Sequence, residues 1–556
     1  MASRFLTLVA SAAVLSACTP SSPPPSEIDA ADMIIFGGPI YTGLDHSPKA
    51  EAIAVDEGKI VAVGAFADIL TQHGDGAKQI SLDGAALYPG FTDAHAHLIG
   101  LGQRELSLNL EGTGSIADLT ARVKQAVEGL PKGQALYGRG WIETGWPEGR
   151  FPVAADLDGI SPGNPIILER ADGHAVVANS AALAAANITG ETPDPAGGRI
   201  EKRADGEPNG MLIDTAAEPV FALLQAPSKA EKERAYKTGS DVYTAYGWTG
   251  LHNMSVNPAE LSMIETLSDT DVINLRVYNS IDKGGLDALI SSGPRRSQNG
   301  EVITRAMKLY VDGALGSRGA ALTAPYSDQP ETKGLILLPQ DEAYTLMGRA
   351  RDGGVQVTTH AIGDRGNKLV LDWYETLLDE GSTDKRWRIE HAQILHLEDI
   401  PRFADMGIIP SMQPSHAIGD LHFAPDRLGN ERLKGGYAWR SLIESGAIIA
   451  GGSDAPVERG DPMIEFYAAV ARMDLTGFSA DNWGANEAVS RMDALKMFTL
   501  WPAIASFQET ELGTIEVGKQ ADFSVFDADI MTIPAFDIPK VKAVMTIVGG
   551  EIVYEN

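Results

Sequence analysis

Two histidines separated by one residue, His95 and His97, close the run Phe91-Thr92-Asp93-Ala94-His95-Ala96-His97, which reads as the end of a β-strand. Side chains alternate along a strand with a period of two, so such a pair aims both imidazoles to the same side. Further along, His360, His391 and Asp454 each follow an apolar strand-like run, and Lys308 lies inside one, Met307-Lys308-Leu309-Tyr310-Val311-Asp312-Gly313. Neutral imidazole and carboxylate are good ligands for zinc or manganese, whereas an ammonium group coordinates nothing. Any one of these residues alone reads as an ordinary hydrogen-bonded strand residue. Recurring together at strand ends, they point to one shared site.

The elements that would bring them together are parallel strands. Strand-like runs cover 87–93, 248–252, 272–278, 306–311, 355–359, 387–390, 407–412 and 447–452, with helical patterns between them such as 341–352. Eight strands alternating with helices predict an α/β fold, a closed (β/α)8 TIM barrel, whose strand C-terminal ends converge on one mouth. A doubly wound open sheet is the competing arrangement. The barrel count requires a large insertion after the first strand, about residues 100–246, holding strands of its own at 135–138 and 165–169. Short runs at 33–36, 52–55 and 59–63 and at 523–526 and 541–548 are too few at either end to stand alone. They are expected to join into one small β-sandwich built from both chain ends, 31–86 and 509–556, around a barrel spanning 87–508.

Composition narrows the function. With 44% hydrophobic and 22% charged residues over 556 positions, the body is that of a folded globular protein. The formal net charge of −30 repels phosphate backbones and argues against nucleic-acid binding. Cys18 is the only cysteine, so neither an intramolecular disulfide nor a thiolate metal cluster can form. Residues 1–17 have the layout of a signal peptide, with Arg4, a short apolar core and small residues. Leu15-Ser16-Ala17-Cys18 resembles a bacterial lipobox, which implies cleavage before Cys18 and a lipid on its sulfur; a plain secretory signal is the alternative. Thr19 stands where an Asp would be the usual inner-membrane retention signal, and the Pro/Ser-rich 18–30 reads as a tether. The expected setting is the periplasmic face of a bacterial envelope, at the outer membrane, with the lipid anchor as the only membrane contact.

The ligand-type residues and their surroundings resemble the amidohydrolase superfamily. Within it, Thr359-His360-Ala361-Ile362-Gly363-Asp364-Arg365, Asp312-Gly313-Ala314-Leu315-Gly316-Ser317-Arg318, Arg388-Ile389-Glu390-His391-Ala392-Gln393 and Ser411-Met412-Gln413-Pro414-Ser415-His416 resemble the YtcJ-like branch, which includes N-substituted formamide deformylases. The resemblance implies two divalent metal ions, zinc with manganese or iron as alternatives. One would be held by His95, His97 and Asp454, the other by His360 and His391. Lys308, carrying a CO2-derived carbamate, would span both. It further implies hydrolysis of a non-peptide or small-peptide C–N bond of a small-molecule amide by a metal-bridging hydroxide, with Asp454 as general base and then general acid. No serine or cysteine nucleophile is needed, and the sequence has neither a Gly-x-Ser-x-Gly elbow nor a Walker A loop.

Roles beyond the metal are drawn from the resemblance for the Arg170–His174 segment and from their surroundings for the rest. His174, in Arg170-Ala171-Asp172-Gly173-His174, and His416 are candidate catalytic or substrate-binding residues, with loop-fixing as the alternative; His252 is a weaker candidate. Asp172, Arg318 and Trp141 are candidate substrate contacts, although Arg318 could brace its loop and Trp141, with Trp146, could pack the insertion on the barrel. Rival functions on the same fold are a deaminase, a cyclic-amide hydrolase, a lactonase and a dipeptidase. A periplasmic solute-binding lipoprotein is the rival outside it. Association as a homodimer is left open.

Overall fold

A computed structural model describes residues 31–378, 383–480 and 483–556. The expected signal peptide, tether and Cys18 fall in 1–30, outside the described residues. Eight parallel strands form the centre of the molecule in the order Phe91–Ala96, Trp248–Val256, Arg276–Asp282, Val302–Tyr310, Gln356–Ala361, Arg388–His391, Ile409–Met412 and Ala450–Gly451. All eight overlap the runs read from the sequence, and their sequential parallel neighbours give the expected barrel. Long apolar runs such as Met307 and Leu309 pack outward against helices, while polar side chains including Lys308, Thr358 and Arg388 fill the interior.

The first and last strands meet through a small polar seam. Asp454 N donates to His95 O at 2.7 Å and Ser453 N to Asp93 Oδ1 at 2.9 Å. The Asp93 carboxylate also accepts from Ser453 Oγ (2.5 Å), Tyr243 OH (2.8 Å) and His95 N (3.1 Å). Gly452 permits this approach, because a Cβ there would lie 2.5 Å from His95 N.

The chain ends form one eight-stranded sheet that contains Met33–Tyr41, Lys49–Asp56, Lys59–Gly64, Ala86–Pro89, Phe523–Phe526, Ala543–Val548 and Glu551–Glu555. A bridge between Lys59 and Gln520 curls it over a core drawn from both ends, including Ile35, Ile53, Leu87, Phe523 and Ile547. The sequence run 87–93 is thus two elements. Residues up to Pro89 belong to the terminal sheet, and the barrel begins at Phe91. Gly90 makes the passage between Thr249 and Asp522, where a Cβ would come within 2.3 Å of Thr249 Oγ1.

The insertion is richer than the sequence suggested. Instead of two strands it has a six-stranded sheet, ordered Gly198–Lys202, Pro208–Asp214, Ala175–Ala178, Ile166–Arg170, Leu136–Trp141 and Leu108–Asn109. The extra strands run from two to seven residues, and glycines flank or interrupt them, as Gly210 does in Pro208–Asp214, which hides their periodicity. After this sheet the helix Lys229–Tyr246, started by a Ser228/Glu231 capping box and stopped at left-handed Gly247, returns the chain to the second barrel strand. Among the described residues no helix is long and apolar enough to cross a membrane.

The seam makes a stability prediction. Asp93→Ala leaves buried donors from Ser453, Tyr243 and His95 unmatched, and should lower the unfolding free energy by about 3 kcal/mol or more in a denaturant melt. A loss below about 1 kcal/mol would show that the carboxylate is not what joins the strands.

Candidate metal centre

The barrel mouth and the insertion sheet enclose a cavity of about 760 Å³. On its floor lie His95, His97, Lys308, His360, His391 and Asp454, the whole ligand set expected from the sequence. The imidazoles are close-packed: ring centroids are 5.6 Å apart for His95 and His97, 4.7 Å for His95 and His391, and 4.6 Å for His360 and His391. Burial, reinforced by Lys308 and by neighbouring histidines, holds His95, His360 and His391 well below the ordinary imidazole range, so they stand as neutral donors.

Their orientation is fixed from behind. His95 Nδ1 donates to Glu390 Oε2 at 2.5 Å, His97 Nδ1 to Met254 O at 3.1 Å, and His391 Nδ1 to Gln413 Oε1 at 2.8 Å. Each bond places the proton on Nδ1 and leaves Nε2 as a lone pair turned into the cavity. Glu390 is held in turn by Arg388, which is fully buried and also donates to His252 Nδ1 (2.7 Å), Ala94 O (2.6 Å) and Ser411 Oγ (2.8 Å). His252 therefore lies under the floor and does not face the cavity.

Asp454 joins two clusters. Its Oδ1 is 3.3 Å from His97 Nε2 and 3.6 Å from His95 Nε2; its Oδ2 is 3.7 Å from His416 Nε2 and 3.9 Å from His391 Nδ1. Burial by itself would raise this carboxyl, but His95 and His97 hold it well below the usual carboxylate range. His391 and Asp454 both have left-handed backbones, φ 73° and 61°. At His391 this breaks strand alternation, so Glu390 and His391 both face the barrel axis. Such conformations cost about 1–3 kcal/mol each and persist where the surroundings enforce them.

The donor set fits divalent metal. Imidazole nitrogens and a carboxylate converge, and among the described residues His360 Nε2, His416 Nε2 and Asp454 Oδ1 are buried without a hydrogen-bond partner. His360 lies beside His391, with Nε2 3.5 Å from Asp312 Oδ1.

A family model described as "Amidohydrolase family" matches residues 78–554. The chain belongs to the amidohydrolase family. It is 33% identical to YtcJ of Bacillus subtilis over 94% of this chain and 99% of that protein. It is 27% identical to the N-substituted formamide deformylase of Arthrobacter pascens, over 94% and 98% of the two chains. Among solved structures, an uncharacterized metal-dependent hydrolase from Pyrococcus horikoshii matches with a TM-score of 0.73 and 27% identity, covering 90% of this chain and 99% of that one. The chain is accordingly a metal-dependent hydrolase on a TIM barrel.

Around this amidohydrolase centre the remaining candidates divide. His174 enters the cavity from the insertion, 5.7 Å from the His360 ring, with Nδ1 bonded to Asp214 Oδ1 at 2.6 Å. Burial opposes its charge, yet that bond and the Asp214 charge raise it to about 9. His416 lines the opposite wall. Asp172 also lines the cavity, but its carboxylate is committed to Arg170 Nη1 (2.5 Å) and to the backbone of His174 (3.0 Å), so it shapes the wall.

Two expected substrate contacts are corrected. Trp141 is wholly buried in the insertion core, donating to Leu168 O and packed on Trp146 and Phe151, because its strand turns this face onto the helix Ile116–Val127. Arg318 lies off the cavity, paired with Asp328 at 2.8 Å, and braces its loop. Sequence reasoning missed Glu390, Gln413 and Asp214. Glu390 and Gln413 stand in the quoted motifs, and a search for acceptors next to each ligand strand would have raised them; Asp214 carries no local signal.

The rear hydrogen bonds can be tested. Glu390→Gln keeps the shape but removes the charge behind His95, and should weaken zinc binding about tenfold or more in chelator competition. Unchanged affinity would remove Glu390 from the metal centre's support.

Proposed function

We propose that this amidohydrolase is a binuclear enzyme that hydrolyses the C–N bond of an N-formyl or N-acyl compound. The observation that carries the reading is Lys308. Its side chain is buried among the histidines, with Nζ 3.3 Å from His95 Nε2, and burial brings it down to about 8. An uncapped ammonium repels metal at that point. The free amine, by contrast, can attack CO2 and lose a proton, giving a carbamate whose two oxygens can each serve an ion. His95, His97 and Asp454 would hold one ion, His360 and His391 the other, and Lys308 would span them. Such ions, when bound, polarise a carbonyl and acidify water.

The protein's own groups do the rest. Asp454, whose carboxylate lies on the cavity floor among the ligands, can take the attacking water's proton, then return it to the departing amine. His174, cationic and fixed by Asp214, can receive the negative charge that develops on the carbonyl oxygen. The likeness to a formamide deformylase supports an N-acyl substrate. The lysine among the ligands favours this over deamination, and the envelope setting with a lipid on Cys18 remains part of the proposal.

Metal analysis with native and denaturing mass measurements tests the centre. Two ions and the mass of one CO2 that is lost on acidification are expected; one ion with no CO2 would overturn the reading. His360→Ala should then retain one ion, whereas His416→Ala should keep both. Asp454→Asn should keep most of the metal while turnover falls by about a thousandfold or more. The His174 charge is present below its value of about 9 and lost above it. Activity should therefore fall as pH rises through that region, and Asp214→Asn should move the fall to lower pH.

A further inference from the structure

The cavity wall built by the loops after the seventh and eighth strands carries a half-buried carboxylate with no hydrogen bond to a protein group among the described residues. Glu458 lines the cavity, and among the described residues its carboxylate makes no hydrogen bond; the basic atom it approaches is His416 Nε2, 3.9 Å away. His416 is 8% exposed, and that same Nε2 is buried without a hydrogen-bond partner. A single unmet nitrogen thus stands 3.9 Å from Glu458 and 3.7 Å from the catalytic candidate Asp454.

Nearby basic groups are engaged elsewhere. Arg459 Nε bonds Glu111 at 3.0 Å. Arg104, 3% exposed, pairs with Glu105 and gives its remaining donors to the backbone oxygens of Glu458 and Arg459. That clamp fixes the loop and leaves the Glu458 side chain free. Asp420, which also lines the cavity, adds a second carboxylate to the wall, held by Tyr437 OH and by Gln393 Nε2 at 3.0 Å. Burial, with Asp420, Asp454 and Glu111 beside it, pushes Glu458 up to about 8, and a cation placed against it would favour its charged form.

We propose that Glu458, with His416 and Asp420, is a specificity site for a cationic nitrogen on the substrate, an ammonium or similar group carried a few bonds from the scissile amide. An ammonium placed there donates to Glu458 and, with the ring proton of His416 on Nδ1, to His416 Nε2. It meets the unpartnered His416 nitrogen and the Glu458 carboxylate at once and offsets the acidic wall. The small span from Glu458 to Asp454 through His416 sets the reach: the charge and the reacting carbonyl belong to one compact molecule. This inference rests on the proposed amide hydrolysis only for the identity of the bond.

A matched pair of compounds tests it. N-formyl-ethylenediamine carries an ammonium where N-formyl-propylamine has a methyl group. With zinc-loaded full-length enzyme, kcat/KM should favour the cationic compound by about tenfold or more, and Glu458→Gln should bring that ratio close to one. A structural role for Glu458 would slow both compounds alike and leave the ratio unchanged, which would overturn the proposal, as would a wild-type ratio near one. Titration calorimetry of the same two compounds reads recognition without turnover. Cation-selective binding that Glu458→Gln abolishes, with no hydrolysis of either compound, would sink the amide reading and leave this site standing. Hydrolysis or binding without cation preference would do the reverse.

Discussion

Everything at the barrel mouth depends on packing many imidazoles into one dry pit without letting them charge. His95, His360 and His391 lie with ring centroids less than 5 Å apart in sequence around the floor, beside a lysine. Protonated rings at those spacings would repel strongly in a poorly solvated interior. Neutrality is therefore enforced, and a fixed acceptor behind a ring chooses its tautomer. Glu390 behind His95, the Met254 carbonyl behind His97 and Gln413 behind His391 fill that role, the first two from barrel strands and the third from the residue that follows one. The buried Arg388 follows from the same demand, since Glu390 could not sit fully buried as a carboxylate without a cation beneath it. The polar interior of this barrel is a consequence of the ligands it carries.

The cavity above that floor has two walls of different origin and different charge. The insertion supplies His174 with Asp214, a cationic imidazole aimed downward. The loops after the last two strands supply Asp420 and Glu458. A carbonyl oxygen that gains negative charge and a nitrogen that carries positive charge would therefore settle on opposite sides, with Asp454 between them. Loop residues on a rigid barrel make such a division available without disturbing the ligands.

Much of this was legible in the sequence because strand chemistry is local. The His-x-His spacing, the apolar runs before His360 and His391, and the glycines ahead of Asp454 carry the barrel and its ligand set with them. What stayed hidden depends on contacts across the chain. Asp214 acquires meaning only when its strand pairs beside Ala175–Ala178 and brings it to His174. Trp141 could be read as wall or as packing because nothing in its neighbourhood tells which face of an insertion strand turns inward, and it packs within the insertion core. Of the two roles open to Arg318, bracing is the one its pairing with Asp328, ten residues on, selects. The run 87–93 hid a boundary that only the crowding around Gly90 explains.

The passage at Gly90 also orders events during synthesis. Strand Ala86–Pro89 pairs with Phe523–Phe526, and Phe91 N donates to Ser524 Oγ across 433 positions of chain. These partners emerge from the ribosome only when translation is almost finished. The strand that carries His95 thus begins beside an edge that stays bare until the last residues arrive, and the terminal sheet closes after the barrel has its material. Such long-range closure is slow compared with local pairing. The first barrel strand therefore finds the partners of its entry residues only when the C-terminus has been made.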